Sequence, residues 1–207
     1  MGDGDQAELT DARHIEVSLV DPYAFAILFE RHAGSVHRYL IKRVGLDNAE
    51  DLLGETFVTA FRARSSYDLS RSDARPWLFG IATNHARHFW RSEVRRQSRD
   101  TAGMTGATQH DHSDEATARA FFSSQEGAVA QALAQLDDAH LDVLLLVAGP
   151  GFTYEEVSAS LGIPVGTVRS RMSRTRRRLR ELLGGSEHYL EGPPPAEGAS
   201  ASPKGNQ

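Results

Sequence analysis

The stretch TYEEVSASLGIPVGTVRSRMSRTRRRLREL, residues 153–182, constrains this chain most. Thr153 followed three residues later by Glu156 has the spacing of a capping box, in which each side chain satisfies the other residue's backbone N–H at a helix start. Val157 and Leu161 then anchor a short helix, Gly162 supplies a turn, and a second helix is expected from about Val165. At about 100° per residue, Val168, Met172, Thr175 and Leu179 share one side of that second helix. Ser170, Ser173, Arg174 and Arg177 project roughly opposite, with Arg169 and Arg171 on the flanks.

Two helices joined by a glycine turn, the second apolar on one edge and cationic on the other, have the layout of a helix-turn-helix, whose second helix enters the major groove of DNA. Guanidinium groups offer paired donors to guanine, and serine hydroxyls bond bases or phosphates. Arg176, Arg178 and Arg180 suit the backbone, adding affinity without sequence information. An isolated charge run is usually a solvated face. The cap, the turn and the opposed apolar edge favour DNA binding here.

This positive charge stands in a 207-residue chain of net charge −5, so its distribution matters more than its sum. Acids dominate the first dozen residues (Asp3, Asp5, Glu8, Asp11) and the stretch 100–126, and both are read as solubilising. A second basic island occupies 87–99, with Arg87, Arg91, Arg95, Arg96 and Arg99. Cysteine is absent, which excludes disulfides, thiolate metal sites and cysteine nucleophiles. No apolar run approaches the roughly 18 residues of a membrane span. The acidic start lacks the basic and apolar regions of a signal peptide, so a cytoplasmic location is expected.

Helical periodicity fills the rest. In DPYAFAILFERHAGSVHRYLIKRVG, Phe25, Leu28, Phe29, His32, Val36, Tyr39 and Leu40 form one stripe behind an Asp21–Pro22 start. LDNAEDLLGETFVTAFRAR carries Leu53, Phe57, Ala60 and Phe61 on one face, with Asp47 and Glu50 in capping-box spacing. After a turn-rich loop, PWLFGIATNHARHFWRSEVRRQ turns Trp77, Leu78, Ile81, His85, Phe89 and one further candidate, His88, towards a core. From Gly127, Val129, Leu133 and Leu136 form one short face, and Leu141, Leu144, Leu145 and Val147 the next. No strand pattern is convincing. The expected fold is all-α: two small helical domains, joined by a flexible linker over 100–126 and followed by a disordered tail over 184–207.

The island at 76–99 interleaves Trp77, Phe79, Phe89 and Trp90 with Asn84, His85, Arg87, His88, Arg91, Arg95 and Arg96. Rings that stack bases beside cations that track phosphates suit single-stranded nucleic acid. Trp77 and Phe89 also read as core by spacing. Trp90 and the arginines are harder to bury.

At this point the sequence resembles the extracytoplasmic-function (ECF) sigma factors of bacterial RNA polymerase, which keep only regions 2 and 4 of the sigma-70 family. The stretches FAILFERHAGSVHRYLIKRVG, AEDLLGETFVTAFRA, RPWLFGIATNHARHFWR and TYEEVSASLGIPVGTVRSRMSRTRRRLRELL carry the resemblance in that order. It implies a region 2 helical bundle over 21–99, behind an acidic N-terminal segment 1–20, and a region 4 helix-turn-helix over 127–183. It implies that Asp51, Leu52, Glu55 and Phe57 face the clamp helices of core polymerase and that region 4 docks on the flap. Asn84, His88, Arg91, Arg95, Arg96 and Trp77 would then read the melted −10 element, with loop 65–74 receiving a base flipped from the non-template strand. Thr167, Arg169, Ser170, Arg171, Ser173, Arg174 and Arg177 would read the −35 element as duplex. An anti-sigma factor is the further partner implied.

Two departures from that pattern stand out. Gly54 replaces a usual glutamine, at about 1 kcal/mol of helix propensity, and AGPGF at 148–152 replaces an acidic run before Thr153. The cluster QHDHSDE at 109–115 could offer metal ligands, but no second ligand set accompanies it and a polar linker preorganises ligands poorly. Neither catalysis, cofactor nor metal is expected.

Overall fold

The structure is a computed structural model that describes residues 9–102 and 127–184. Eight α-helices follow one another among the described residues, with no strand: α1 (Asp11–Ser18), α2 (Ala26–Val44), α3 (Leu46–Ala63), α4 (Arg75–Ala102), α5 (Ala128–Leu133), α6 (Asp138–Ala148), α7 (Tyr154–Leu161) and α8 (Val165–Leu182). Helix α4 runs to Ala102, three residues into the expected linker; the rest of the linker, the QHDHSDE cluster and the tail, all but its first residue, lie outside the described residues.

The first unit is a bundle of α2, α3 and α4. Leu28, Val36, Tyr39, Leu40, Leu52, Phe57, Ala60, Leu78, Phe79, Ala82 and Ala86 are buried at its centre. Most of the expected stripes face inward, with differences that have local causes. Asp21 caps a 3-10 turn, Pro22–Phe25, before α2 begins at Ala26. The Asp47–Glu50 box does not form, because α3 starts at Leu46, directly after Gly45 at φ 85°, which leaves no side-chain cap. Phe29 is exposed, although its ring meets Phe57 edge-on at 4.9 Å. His88 points to solvent. Trp90 is buried, its Nε1–H donating to the Arg43 carbonyl at 3.0 Å. That bond is what makes an indole tolerable in a core.

Residues 11–18, read from sequence as part of an acidic N-terminal segment, form a helix that packs on the bundle. Thr10 caps α1, and Ala12 and Ile15 are buried.

In the second unit α6 lies between α8 and the first unit, so it is apolar almost all round: Leu141, Val143, Leu145 and Leu146 are all buried. Val129, expected on an inward face, is 47% exposed, and Ala132 packs in its place. The Thr153–Glu156 capping box forms as expected, with Glu156 N–H donating to Thr153 Oγ1 at 3.2 Å and Thr153 N–H to Glu156 Oε2 at 2.7 Å. Gly162 ends α7 in the left-handed region at φ 63°, where a side chain would be strained.

Candidate nucleic-acid and polymerase interfaces

Helix α8 presents its two faces as the rotation argument predicts. Val168, Met172, Thr175 and Leu179 are buried, and the Thr175 hydroxyl donates to the Arg171 carbonyl at 2.9 Å. Arg169, Ser170, Ser173, Arg174 and Arg177 are exposed, while Thr167 and Arg171 are half-buried at the edge. Arg177 and Arg178 share the carboxylate of Glu181 at 3.9 and 3.6 Å, loose pairs that a phosphate could displace. The unit therefore offers a rigid helix with a cationic, hydroxyl-bearing face.

Along α4 the exposed positions Asn84, His88, Arg91 and Arg95 recur at intervals of four, three and four residues, which places them on one stripe. Trp77 begins the same stripe, half-buried, its ring 4.9 Å from that of Tyr67 in the preceding loop. Arg96 lies off the stripe and pairs with Glu93 at 2.7 Å.

The loop between α3 and α4 holds itself in shape. The Tyr67 hydroxyl donates to the carbonyls of Arg71 at 2.7 Å and Asp73 at 3.1 Å. Burial, with the neighbouring Asp11 and Asp73 carboxylates, pushes that phenol up to about 12, so it remains a donor. Asp68 accepts from the backbone N–H and hydroxyl of Ser70, which lower its pKa. Asp73 caps α4 by accepting from Arg75 N–H at 2.9 Å.

On α3, Asp51, Gly54, Glu55 and Val58 form the exposed face. Leu52 and Phe57, expected to face a partner, are only 6% and 7% exposed and pack inward. They support that face from below, and Val58, 48% exposed, is the apolar group that takes their place on the surface. Glu55 Oε2 lies 3.3 Å from His85 Nδ1, and His85 Nε2 shares a hydrogen bond with Thr59 at 2.9 Å, so the acidic edge of α3 is tied to α4.

The two units meet along α4. Asp142 of α6 accepts from Arg43 Nε at 3.0 Å and from Arg87 Nε at 2.7 Å, and Asp138 accepts from Arg43 Nη2 at 2.9 Å. Burial alone would lower the Arg43 pKa, but the Asp142 and Asp138 charges hold it raised. Burial pushes Asp138 up against the pull of Arg43. Phe152 packs edge-on to Phe79 at 5.1 Å, with the Arg75 guanidinium 5.8 Å from its ring centre. The AGPGF departure thus seats Phe152 in the junction. Gly80 abuts α7 so closely that a Cβ there would stand 2.4 Å from the Ser160 carbonyl oxygen. Sequence reasoning missed this junction. Its one signal was Asp142 inside the apolar run LDVLLLVAG, since an acid on an otherwise buried helix demands a buried cation.

A bundle with a cation-lined, exposed helix stripe, joined to a helix-turn-helix, defines a two-module nucleic-acid-binding protein. Residues 28–96 match Sigma-70 region 2, and residues 132–181 match Sigma-70, region 4. The chain is 34% identical to the RNA polymerase sigma factor CarQ of Myxococcus xanthus over 165 residues, covering 78% of this chain and 90% of CarQ. It is 31% identical to the ECF RNA polymerase sigma factor EcfG of Rhodopseudomonas palustris, covering 70% of this chain and 74% of that protein. Among solved structures it resembles CnrH in complex with the cytosolic domain of CnrY, at 25% identity and TM-score 0.60, covering 85% of this chain and 98% of CnrH. It also resembles RpoE in complex with the anti-sigma factor NepR from Bartonella quintana, at 25% identity and TM-score 0.55, covering 78% and 98% of the two chains. The chain belongs to the ECF sigma factors of RNA polymerase.

Proposed function

We propose that this chain is a promoter-specificity subunit in which region 2, residues 21–99, engages core polymerase and the melted −10 element while region 4, residues 127–183, reads the −35 duplex. The observation that carries this reading is the exposed face of α8, where Arg169, Ser170, Ser173, Arg174 and Arg177 stand opposite a fully packed apolar edge. Arg169 and Arg174 are the guanine-reading candidates, Thr167, Ser170 and Ser173 supply hydroxyls, and Arg171 and Arg177 extend the contact to phosphates.

The stripe Trp77, Asn84, His88, Arg91 and Arg95 offers a ring and cations to a single strand, with Arg96 beside it. Extracting a base into loop 65–74 costs a few kcal/mol of stacking, which a preorganised loop offsets in part. Asp51 and Glu55 are the polar contacts to the polymerase clamp, positioned by the buried Leu52 and Phe57, and region 4 docks on the flap. The work is binding and DNA opening in the cytoplasm, without a catalytic group. Of the similar solved structures, one holds CnrH with the cytosolic domain of CnrY and another the sigma factor RpoE with the anti-sigma factor NepR, and an anti-sigma factor is the further partner we assign to this chain.

Run-off transcription with core polymerase, with and without this chain, tests the reading on a promoter such as that of its own gene. A specific transcript that requires the chain supports it. A tight duplex shift without polymerase, and no transcript, would point instead to a stand-alone helix-turn-helix regulator.

A further inference from the structure

The segment matched to region 2 begins at residue 28, so α1 lies outside it. Yet α1 opens with a buried acid that is tied into two other parts of the bundle. The Asp11 carboxylate accepts from His32 Nε2 at 2.8 Å and Arg31 Nη1 at 3.1 Å on α2, and from the backbone N–H of Ala74 at 3.0 Å. Arg31 Nη1 also donates to the Leu9 carbonyl at 2.8 Å, and Ala12 N–H donates to the Ser72 carbonyl at 3.4 Å.

Ser72 and Ala74 are the last turns of the loop that leads into α4. Upstream of them, Tyr67 closes the loop on Arg71 and Asp73 and lays its ring against Trp77. The loop tip, Asp68 to Ser72, is exposed. Its ends are therefore fixed from two sides, by Tyr67 within the loop and by Asp11 from a helix some sixty positions earlier. A surface loop that only connected two helices would need no buried carboxylate beneath it, because loops ordinarily satisfy their backbone with water.

We propose that Asp11 is a specificity-positioning residue: through His32 and the Ala74 N–H it fixes the shape in which loop 65–74 receives a base of the −10 element. The inference rests on the reading that this loop is the base receiver. Asp11 touches no DNA. It acts on base choice by keeping the loop preorganised, since a receiving pocket that must order itself on binding spends discrimination on its own ordering.

The test uses holoenzyme assembled from core polymerase and the full chain, with forked promoter DNA carrying each of the four bases at each −10 position. Asp11→Asn is expected to lower the preference for the best base by roughly fivefold or more, while leaving −35 preference and core affinity unchanged. His32→Gln, which retains an N–H near the Nε2 position, is expected to keep the preference, and His32→Leu to lose it as Asp11→Asn does. A merely structural role would reduce all three readouts together, and that result overturns the proposal. Leu69→Ala, at the loop tip, separates the levels. If it alters −10 preference while Asp11→Asn does not, the role of Asp11 fails and the loop reading stands; if neither alters it, both fail. Should Asp11→Asn fold poorly, the two His32 variants carry the same decision.

Discussion

Arg43 and Asp142, 99 positions apart in the chain, meet at 3.0 Å with both side chains fully shielded from water. Their contact is the centre of a neutral cluster, completed by Arg87 and Asp138, that crosses from the region 2 bundle to the helix-turn-helix unit. A buried charge pair contributes little net stability over apolar residues of similar volume, but removing one partner strands the other.

Arg43→Met is accordingly expected to destabilise the chain by roughly 3–5 kcal/mol, and Arg43→Met with Asp142→Leu by much less. Urea unfolding of the two single variants and the double variant measures the coupling directly. Additive losses would mean that the pair does not act as a unit.

Gly80→Ala gives an opposite sign to the usual expectation. In a helix interior this change adds about 1 kcal/mol of stability, yet here the new methyl would stand 2.4 Å from the Ser160 carbonyl oxygen, a backbone atom that cannot swing aside. The junction should loosen while each unit keeps its helices. A larger radius of gyration by small-angle scattering, with unchanged helical circular dichroism, is the expected result.

The Asp11 carboxyl predicts an acid limb in stability. Burial would raise its pKa, but the His32 and Ala74 hydrogen bonds and the nearby Arg31 overcome that and lower it from 3.8 to about 2. As pH falls, the unfolded chain takes up this proton first. The contribution, roughly 2 kcal/mol, is therefore complete above about pH 5 and lost as pH falls towards 2. Denaturation of the parent chain and Asp11→Asn across that range should give curves that converge at the acid end.

The two polymerase-related surfaces should separate by mutation. Arg174→Glu is expected to weaken −35 recognition about tenfold or more and to lessen its salt dependence, with core binding intact. Glu55→Lys should do the opposite, weakening core binding while leaving −35 duplex recognition by the full chain intact. Transcription and core-affinity titrations on both variants check this, and failure of both at one step would refute the division.

Much of this architecture was legible because it is local. The faces of α8 follow from a 3.6-residue period, and the Thr153–Glu156 box from a spacing of three. What escaped sequence reasoning depends on residues distant in the chain. Asp11 reads as one of several solvated acids until Ala74 N–H and His32 are found around it. Leu52 resembles part of a contact motif, but the bundle buries it and leaves Val58 outside. Trp90 resembles a stacking ring until the Arg43 carbonyl claims its N–H. Each of these outcomes is set by a neighbour that periodicity does not specify.

The close seat of Gly80 against Ser160 also sets a limit of reach. About 150 residues packed together have a radius of gyration near 15 Å, and so measure roughly 40 Å across. Elements centred about 25 base pairs apart are separated by roughly 85 Å of duplex at 3.4 Å per step. With α4 pressed on α7, the two readers are therefore spaced for one element at a time. To engage both elements at once, the two units would have to part at this seam. Whatever free energy holds Arg43 to Asp142 is then subtracted from the gain of binding both elements at once, so the tightness of a seam far from any base sets how readily a promoter is engaged.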